Sequence, residues 1–356
     1  MNTPRETVVN IVNRGGAGGA KPPVDALRRP IHDLRISVMD RCNFRCPYCM
    51  PRETFHESYR FLKSSERLDF TEILRLSRAF VHAGVKKLRI TGGEPLLRPN
   101  LPDLIGDLSS LPGVEDVALT TNGILLAKYA TELKAAGLSR VTVSLDTLDP
   151  DVFKRMSGGF GGVAEVLEGI EHARRAGLAP IKINTVVQRG VNDHTLLDLL
   201  AHFRGTDVIV RFIEYMDVGT RNHWEPTLVV PSRDLAATIN ARWPIAPREA
   251  NYRGEVAERY VYADGAGEIG FISSVSQPFC GDCSRARISS DGSFYTCLFA
   301  TQGIDLRGPL RAGATDEELY ELIRGTWTGR RDRYSELRAS MRNADLHKVE
   351  MNYIGG

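Results

Sequence analysis

No apolar run in this chain reaches the ~20 residues that a membrane-spanning helix needs, and no signal-peptide core follows Met1. A helical membrane protein and a secreted protein are therefore not expected; a cytoplasmic location is. An excess of one charge is also lacking, because 46 basic side chains meet 44 acidic ones and leave a formal net charge of +2. That balance offers no broad field for nucleic acid or an anionic bilayer, so an anionic ligand must be met by locally gathered arginines. Cysteine is scarce, and none is scattered. All six fall into two triplets, Cys42, Cys46, Cys49 and Cys280, Cys283, Cys297. Without a secretion signal, thiols this close read as metal ligands in a reducing compartment rather than as a disulfide framework. No long linker and no repeat beyond a βα rhythm divides the 356 residues. One large α/β unit with an appendage is the expectation.

That rhythm begins at Leu34. Strands are predicted over 34–38, 86–91, 114–121, 140–146, 180–188 and 207–216, with amphipathic helices over 71–84, 101–110, 124–137, 164–177 and 193–205 between them. Parallel strands with right-handed crossovers follow, in either a doubly wound sheet or an incomplete β/α barrel. Polar and glycine-rich motifs recur just after successive strands: the first cysteine triplet, "TGGEP", "TTNG" and "SLDT". So many strand ends converging favours the barrel. Beyond Met216 the rhythm stops, giving way to a loop, a helix over 231–243, hairpins turning at Asp264–Gly267 and Asp291–Gly292, and a helix over 315–327. The expected divisions are a flexible Gly/Pro/Arg-rich leader (1–30), the barrel (31–218), a C-terminal region with the second triplet (219–340), and a tail without evident structure (341–356).

The first triplet has the spacing C-x3-C-x2-C on a loop between a strand and a helix. Zinc would need a fourth ligand, such as His56. Three thiolates suit a [4Fe–4S] cluster that leaves one iron open. The second triplet, C-x2-C-x13-C, pairs two thiols at a turn with a third on a hairpin, and leaves the same choice, here with His347 as a zinc ligand. Arg285 and Arg287 follow its first two cysteines at strand spacing, which puts both side chains on one face.

C-x3-C-x2-C after the first strand, with Tyr48 before the last cysteine, resembles the radical S-adenosylmethionine (SAM) superfamily. "LRISVMDRCNFRCPYCMP", "RITGGEPLLR", "LTTNG", "FIEYMDVG", "FCGDCSRARIS" and the terminal "GG" are together similar to the GTP 3′,8-cyclases that begin molybdenum cofactor biosynthesis. Met39 stands where that family is expected to have Thr.

The resemblance implies an incomplete (β/α)6 TIM-like barrel of the radical SAM type, with a C-terminal α+β extension holding a second iron–sulfur cluster. It implies two [4Fe–4S] clusters, on Cys42, Cys46, Cys49 and on Cys280, Cys283, Cys297. Tyr48, Gly93, Ser144 and Met216 would contact SAM. Arg35, Arg89, Thr120, Lys182, Arg285 and Arg287 would bind GTP, mainly its triphosphate. Arg285, Arg287 and the tail glycines Gly355 and Gly356 would serve catalysis. A 5′-deoxyadenosyl radical would take the 3′ hydrogen of GTP, and the carbon radical would close on C8 of guanine. The implied partners are GTP, a reductant protein such as a flavodoxin or ferredoxin, and cyclic pyranopterin phosphate synthase downstream. No nucleic acid or membrane is expected, and a homodimer is allowed. Arg35, Arg89 and Lys182 also carry an argument of their own: a basic side chain aimed into a barrel needs an anion, because a buried unpaired charge is costly.

Overall fold

The computed structural model describes residues 22–341 and 348–355. Six parallel strands form its centre: β1 (Asp33–Ser37), β2 (Lys87–Thr91), β3 (Asp116–Thr121), β4 (Arg140–Ser144), β5 (Lys182–Val187) and β6 (Ile209–Glu214). The crossovers are α1 (Phe70–His82), α2 (Leu101–Ser109), α3 (Leu126–Ala135), α4 (Pro150–Met156), α5 (Val163–Arg175) and α6 (Leu196–Phe203). Of these, α4 is absent from the sequence reading. It is set by Asp149, whose carboxylate caps the amides of Asp151 and Val152, and by Pro150 at its first position.

The C-terminal third joins the same sheet rather than building another. Its elements are α7 (Ser232–Arg242), β7 (Ile245–Arg248), β8 (Glu258–Tyr262), β9 (Glu268–Ile272), β10 (Arg285–Ile288), β11 (Ser293–Tyr295), β12 (Ile304–Asp305), α8 (Arg307–Arg311), α9 (Asp316–Thr328) and α10 (Tyr334–Met341). Both expected hairpins form, and each sends one strand to an edge of the barrel: β9 pairs parallel with β6, and β10 parallel with β1. The full order is β12-β11-β10-β1-β2-β3-β4-β5-β6-β9-β8-β7. The sheet therefore runs across the expected boundary at residue 218. The tail carries one helical turn, α11 (Met351–Ile354), where no structure was expected.

Strand alternation sorts the two faces. Leu34 and Ile36, Leu88 and Ile90, Val117 and Leu119, and Ile183 are buried against the helices, which answer with Ile73, Leu76 and Phe80 of α1 and Val166 and Ile170 of α5. Each such side chain contributes about 1.5–3 kcal/mol of burial. The alternate positions carry Arg35, Arg89, Thr120, Lys182, Asn184 and Arg211, and all six line one chamber. Residues from β10, β1 through β6 and β9 share that chamber, so the sheet is rolled about it, and its edge strands β12 and β7 do not pair to close it. It is an incomplete barrel.

Part of the expected leader is anchored. Asp25 and Arg29 are buried as an ion pair, and Arg29 also donates to the carbonyls of Cys280 (2.7 Å) and Asp332 (2.8 Å). Residues 1–21, and with them most of the leader, lie outside the described residues, as do His347 and Gly356.

Candidate functional site

Three connected chambers occupy the mouth and interior of the barrel. The first is lined by Cys42, Cys46 and Cys49 with Tyr48, Thr91, Gly92, Gly93 and Ser144. The cysteine loop is held in place by the "TGGEP" segment. Gly93 N donates to Met39 O (2.6 Å) and Glu94 N to Arg41 O (2.8 Å). A Cβ at Gly92 would stand 2.3 Å from Met39 O, and one at Gly93 would stand 2.2 Å from Arg41 O. Glycine is thus required where one loop presses on the other, a reason added to close approach by a ligand. Glu94 itself points away, accepting from Leu96 N (3.0 Å), Thr121 Oγ1 (2.8 Å) and Asn122 N (2.8 Å); burial nevertheless raises its pKa to about 7. Tyr48 donates to Asp146 (2.7 Å), which also accepts from Val186 N (2.8 Å), tying the cysteine loop to β4 and β5.

The second chamber holds Cys280, Cys283 and Cys297 with Arg285, Arg287, Phe299 and Met216. Burial raises the thiol of Cys297 to about 12. At Cys283 burial acts the same way, but Arg285 and Arg330 outweigh it and bring the thiol down to about 6. Arg285 reaches Cys283 Sγ at 3.3 Å, and Arg330 donates to the Cys283 carbonyl at 2.7 Å. Met216, expected to contact SAM, lines this second chamber. Tyr48, Val186, Ile213 and Met351 line both chambers, so little separates them.

Both triplets fit an iron–sulfur cluster by donor chemistry: three thiols facing a shared cavity, partly buried, with Phe44 N directed at Cys42 Sγ (3.4 Å) and Phe299 N at Cys297 Sγ (3.5 Å). Among the described residues no three His, Cys, Asp or Glu side chains converge on a single metal ion; a cluster, with one thiolate per iron, does not require it.

The third chamber is basic. Register sets Arg35 of β1 and Arg89 of β2, which line it, side by side with Arg287 of β10, which lines the second chamber, across three adjacent strands. Like charges so placed repel. Burial depresses Arg35 well below its ordinary value, and Arg287 and Arg89 push it further; Arg287 itself falls to about 10. Arg89 donates to Thr120 Oγ1 (3.1 Å) and Thr142 Oγ1 (3.2 Å). Lys182 falls to about 7 through burial and then through Arg211 and Arg140. Arg35 and Arg285 line both this chamber and the second, and Thr120 lines this one and the first.

The tail enters between the cavities. Arg287 donates to the Gly355 carbonyl, and Met351 lines both thiol chambers. Gly355 has φ +71°, and a Cβ there would lie 2.2 Å from Thr91 Cγ2. The tail is held by Lys348 on Asp217 (2.7 Å), by Glu350 accepting from Thr220 N (3.0 Å), and by Asn352 donating to Asp40 O (3.2 Å).

Several residues here escaped the sequence reading. Lys87 and Arg211 join the basic chamber, and alternation along β2 and β6 places them on the same face as Arg89 and Asn184. Asn184 lines all three chambers, and its side-chain oxygen is buried without a partner among the described residues. A neutral residue of this kind leaves no signal in a single sequence.

Two family models match successive parts of the chain. Residues 36–203 match the Radical SAM superfamily, and residues 208–336 match Molybdenum Cofactor Synthesis C. A GTP 3′,8-cyclase of Xanthomonas campestris pv. campestris is 55% identical, covering 95% of this chain and 98% of that one. Those of Acidothermus cellulolyticus and Staphylococcus aureus are 51% and 46% identical, over 94% and 93% of this chain and 99% and 98% of their own. Among solved structures, Streptococcus suis SuiB shares the fold with a TM-score of 0.56 at 16% identity, over 87% of this chain and 68% of that one. A cysteine loop on the first strand, a rolled parallel sheet and near-complete coverage by these relatives lead to one conclusion: the chain belongs to the GTP 3′,8-cyclase family of radical SAM enzymes.

Proposed function

We propose that the protein converts GTP to (8S)-3′,8-cyclo-7,8-dihydroguanosine 5′-triphosphate, the first step of molybdenum cofactor biosynthesis. The observation that carries this reading is the run of three arginines in register beside two open thiol triplets. Such a run is unfavourable without an anion and favourable with a triphosphate, whose oxygens accept from several guanidinium forks at once.

Cys42, Cys46 and Cys49 would hold the [4Fe–4S] cluster that, with SAM, supplies the 5′-deoxyadenosyl radical for hydrogen abstraction at C3′. Tyr48, Gly93 and Ser144 would contact SAM in the first chamber, with Met216 approaching from the second. Cys280, Cys283 and Cys297 would hold a second [4Fe–4S] cluster beside the guanine. Arg35, Arg89, Thr120 and Lys182, joined by Lys87 and Arg211, would take the triphosphate, and Arg285 and Arg287 would stand at the junction of base and phosphates. Gly355 would seat the tail against Arg287, closing the cavity to water and stray hydrogen donors; a catalytic role for Gly356 rests on family resemblance alone. The division into a barrel (31–218), a second-cluster region (219–340) and a tail (341–356) follows these roles. The reaction needs two electrons, one to cleave SAM and one, with a proton, to reduce the cyclised radical; a one-electron carrier such as a flavodoxin or ferredoxin fits as donor, and cyclic pyranopterin phosphate synthase as the acceptor of product.

Anaerobic reconstitution with iron and sulfide, followed by reductant, SAM and GTP, tests the reading. About eight irons per chain and a cyclised product are expected. Four irons, bound zinc, or 5′-deoxyadenosine formed equally well without GTP would contradict it.

A further inference from the structure

We infer that the basic chamber takes its nucleotide as the metal-free triphosphate, so that Mg2+ competes with the protein for GTP. The inference rests on the reading of this chamber as the GTP site.

Seven cationic side chains line the chamber: Arg35, Lys87, Arg89, Arg140, Lys182, Arg211 and Arg285. Among the described residues three carboxylates do, those of Asp33, Asp116 and Glu255, which leaves a formal excess of four positive charges. A fully ionised nucleoside triphosphate carries about four negative charges, whereas its Mg2+ chelate carries about two. The metal-free form balances the chamber; the chelate leaves half the excess uncompensated in a partly desolvated space.

The carboxylates are also committed elsewhere. Asp116 is held by Arg140, whose Nε lies 3.1 Å from both of its oxygens. Asp33 accepts from Ser284 Oγ (3.3 Å) and meets His32 Nδ1 at 3.0 Å. Glu255 accepts from Asn251 N (2.6 Å) and from Asn251 Nδ2 on both oxygens (3.0 and 3.2 Å). Mg2+ at a phosphate site is ordinarily held by one or two carboxylates besides the phosphates and water. No carboxylate here stands ready for that task. The donors, by contrast, are in place. Among the described residues Arg211 Nε is buried without a partner, and its guanidinium makes a long contact with Thr142 Oγ1 (3.4 Å). Phosphate oxygens occupied by Mg2+ would be lost to such donors.

The test is calorimetric titration of GTP into the reconstituted holoenzyme, with SAM and reductant omitted so that no turnover occurs. One series contains EDTA, and the other contains rising Mg2+ at constant ionic strength. When free Mg2+ leaves a tenth of the GTP metal-free, the apparent Kd should weaken about tenfold. Arg211→Gln lowers the excess charge by one, so it should weaken binding in EDTA and narrow the gap between the two series. An unchanged or tighter Kd in Mg2+ would overturn the inference while leaving the chamber as the GTP site. Absence of binding in both series would overturn the assignment of the chamber itself.

Discussion

Proton uptake should accompany nucleotide binding, and Lys182 is the group that takes it up. In the empty chamber its pKa falls to about 7, first through burial and then through Arg211 and Arg140. A phosphate in contact offsets both effects and returns the ammonium towards its ordinary value of about 10.4. At pH 8 about nine-tenths of empty-site lysines are neutral, so binding should take up about 0.9 proton. The sign follows: affinity is greatest below pH 7 and falls as pH rises through the empty-site value. Between pH 7 and pH 9 the Kd should weaken about 50-fold, or about 2.3 kcal/mol. Calorimetry at pH 8 in two buffers of different ionisation enthalpy, with EDTA present, reads the uptake directly. The phosphate tail is fully ionised there, so the proton is not its own. Lys182→Arg keeps a charge across the range and should flatten the slope. An uptake below about 0.2 proton at pH 8, or a Lys182→Arg enzyme with the original pH slope, would refute the reasoning.

Other substitutions probe separate parts of the site. Gly355→Ala places a Cβ 2.2 Å from Thr91 Cγ2 at a φ of +71°, so it should lower kcat, measured by product formation. A fall of about tenfold or more is expected while the GTP Kd moves less than about threefold, with partial rescue by Thr91→Ala. Arg35→Met removes the middle of the three aligned arginines. It should raise the melting temperature of the nucleotide-free holoenzyme by about 2 °C yet weaken GTP binding about 10- to 100-fold. Glu94→Gln turns an amide towards Thr121 Oγ1, Asn122 N and Leu96 N, all of which donate to the carboxylate. A loss of about 1–3 kcal/mol in denaturant unfolding is expected.

Most of the barrel was legible because its strands alternate cleanly: Leu34 and Ile36 outward, Arg35 between them. The same parity marks Arg211, but it stands between Val210 and Phe212 on a strand read mainly for its hydrophobicity, and the family motifs did not single it out. The start of α4 carried a usable signal in Asp149–Pro150, obscured by the glycines at 158 and 159 that end it. Tail and leader are another matter. Arg29 sits among Gly, Pro and Arg residues that suggest flexibility, and it is ordered by Cys280 and Asp332, some 250 to 300 positions away. Met351 and Gly355 owe their places to Asp217, Thr220 and Asp40 in the same way. Contacts this distant leave no periodicity. The joining of β9 and β10 to the barrel edges was hidden for the same reason, since a hairpin's pattern does not say which strand it will lie beside.

Transfer of hydrogen from GTP to the adenosyl radical tests the central claim most directly. With GTP deuterated at C3′, the reconstituted enzyme, SAM and reductant should yield 5′-deoxyadenosine carrying one deuterium, together with a cyclised product that has lost it. Unlabelled 5′-deoxyadenosine formed alongside unchanged GTP would contradict the account.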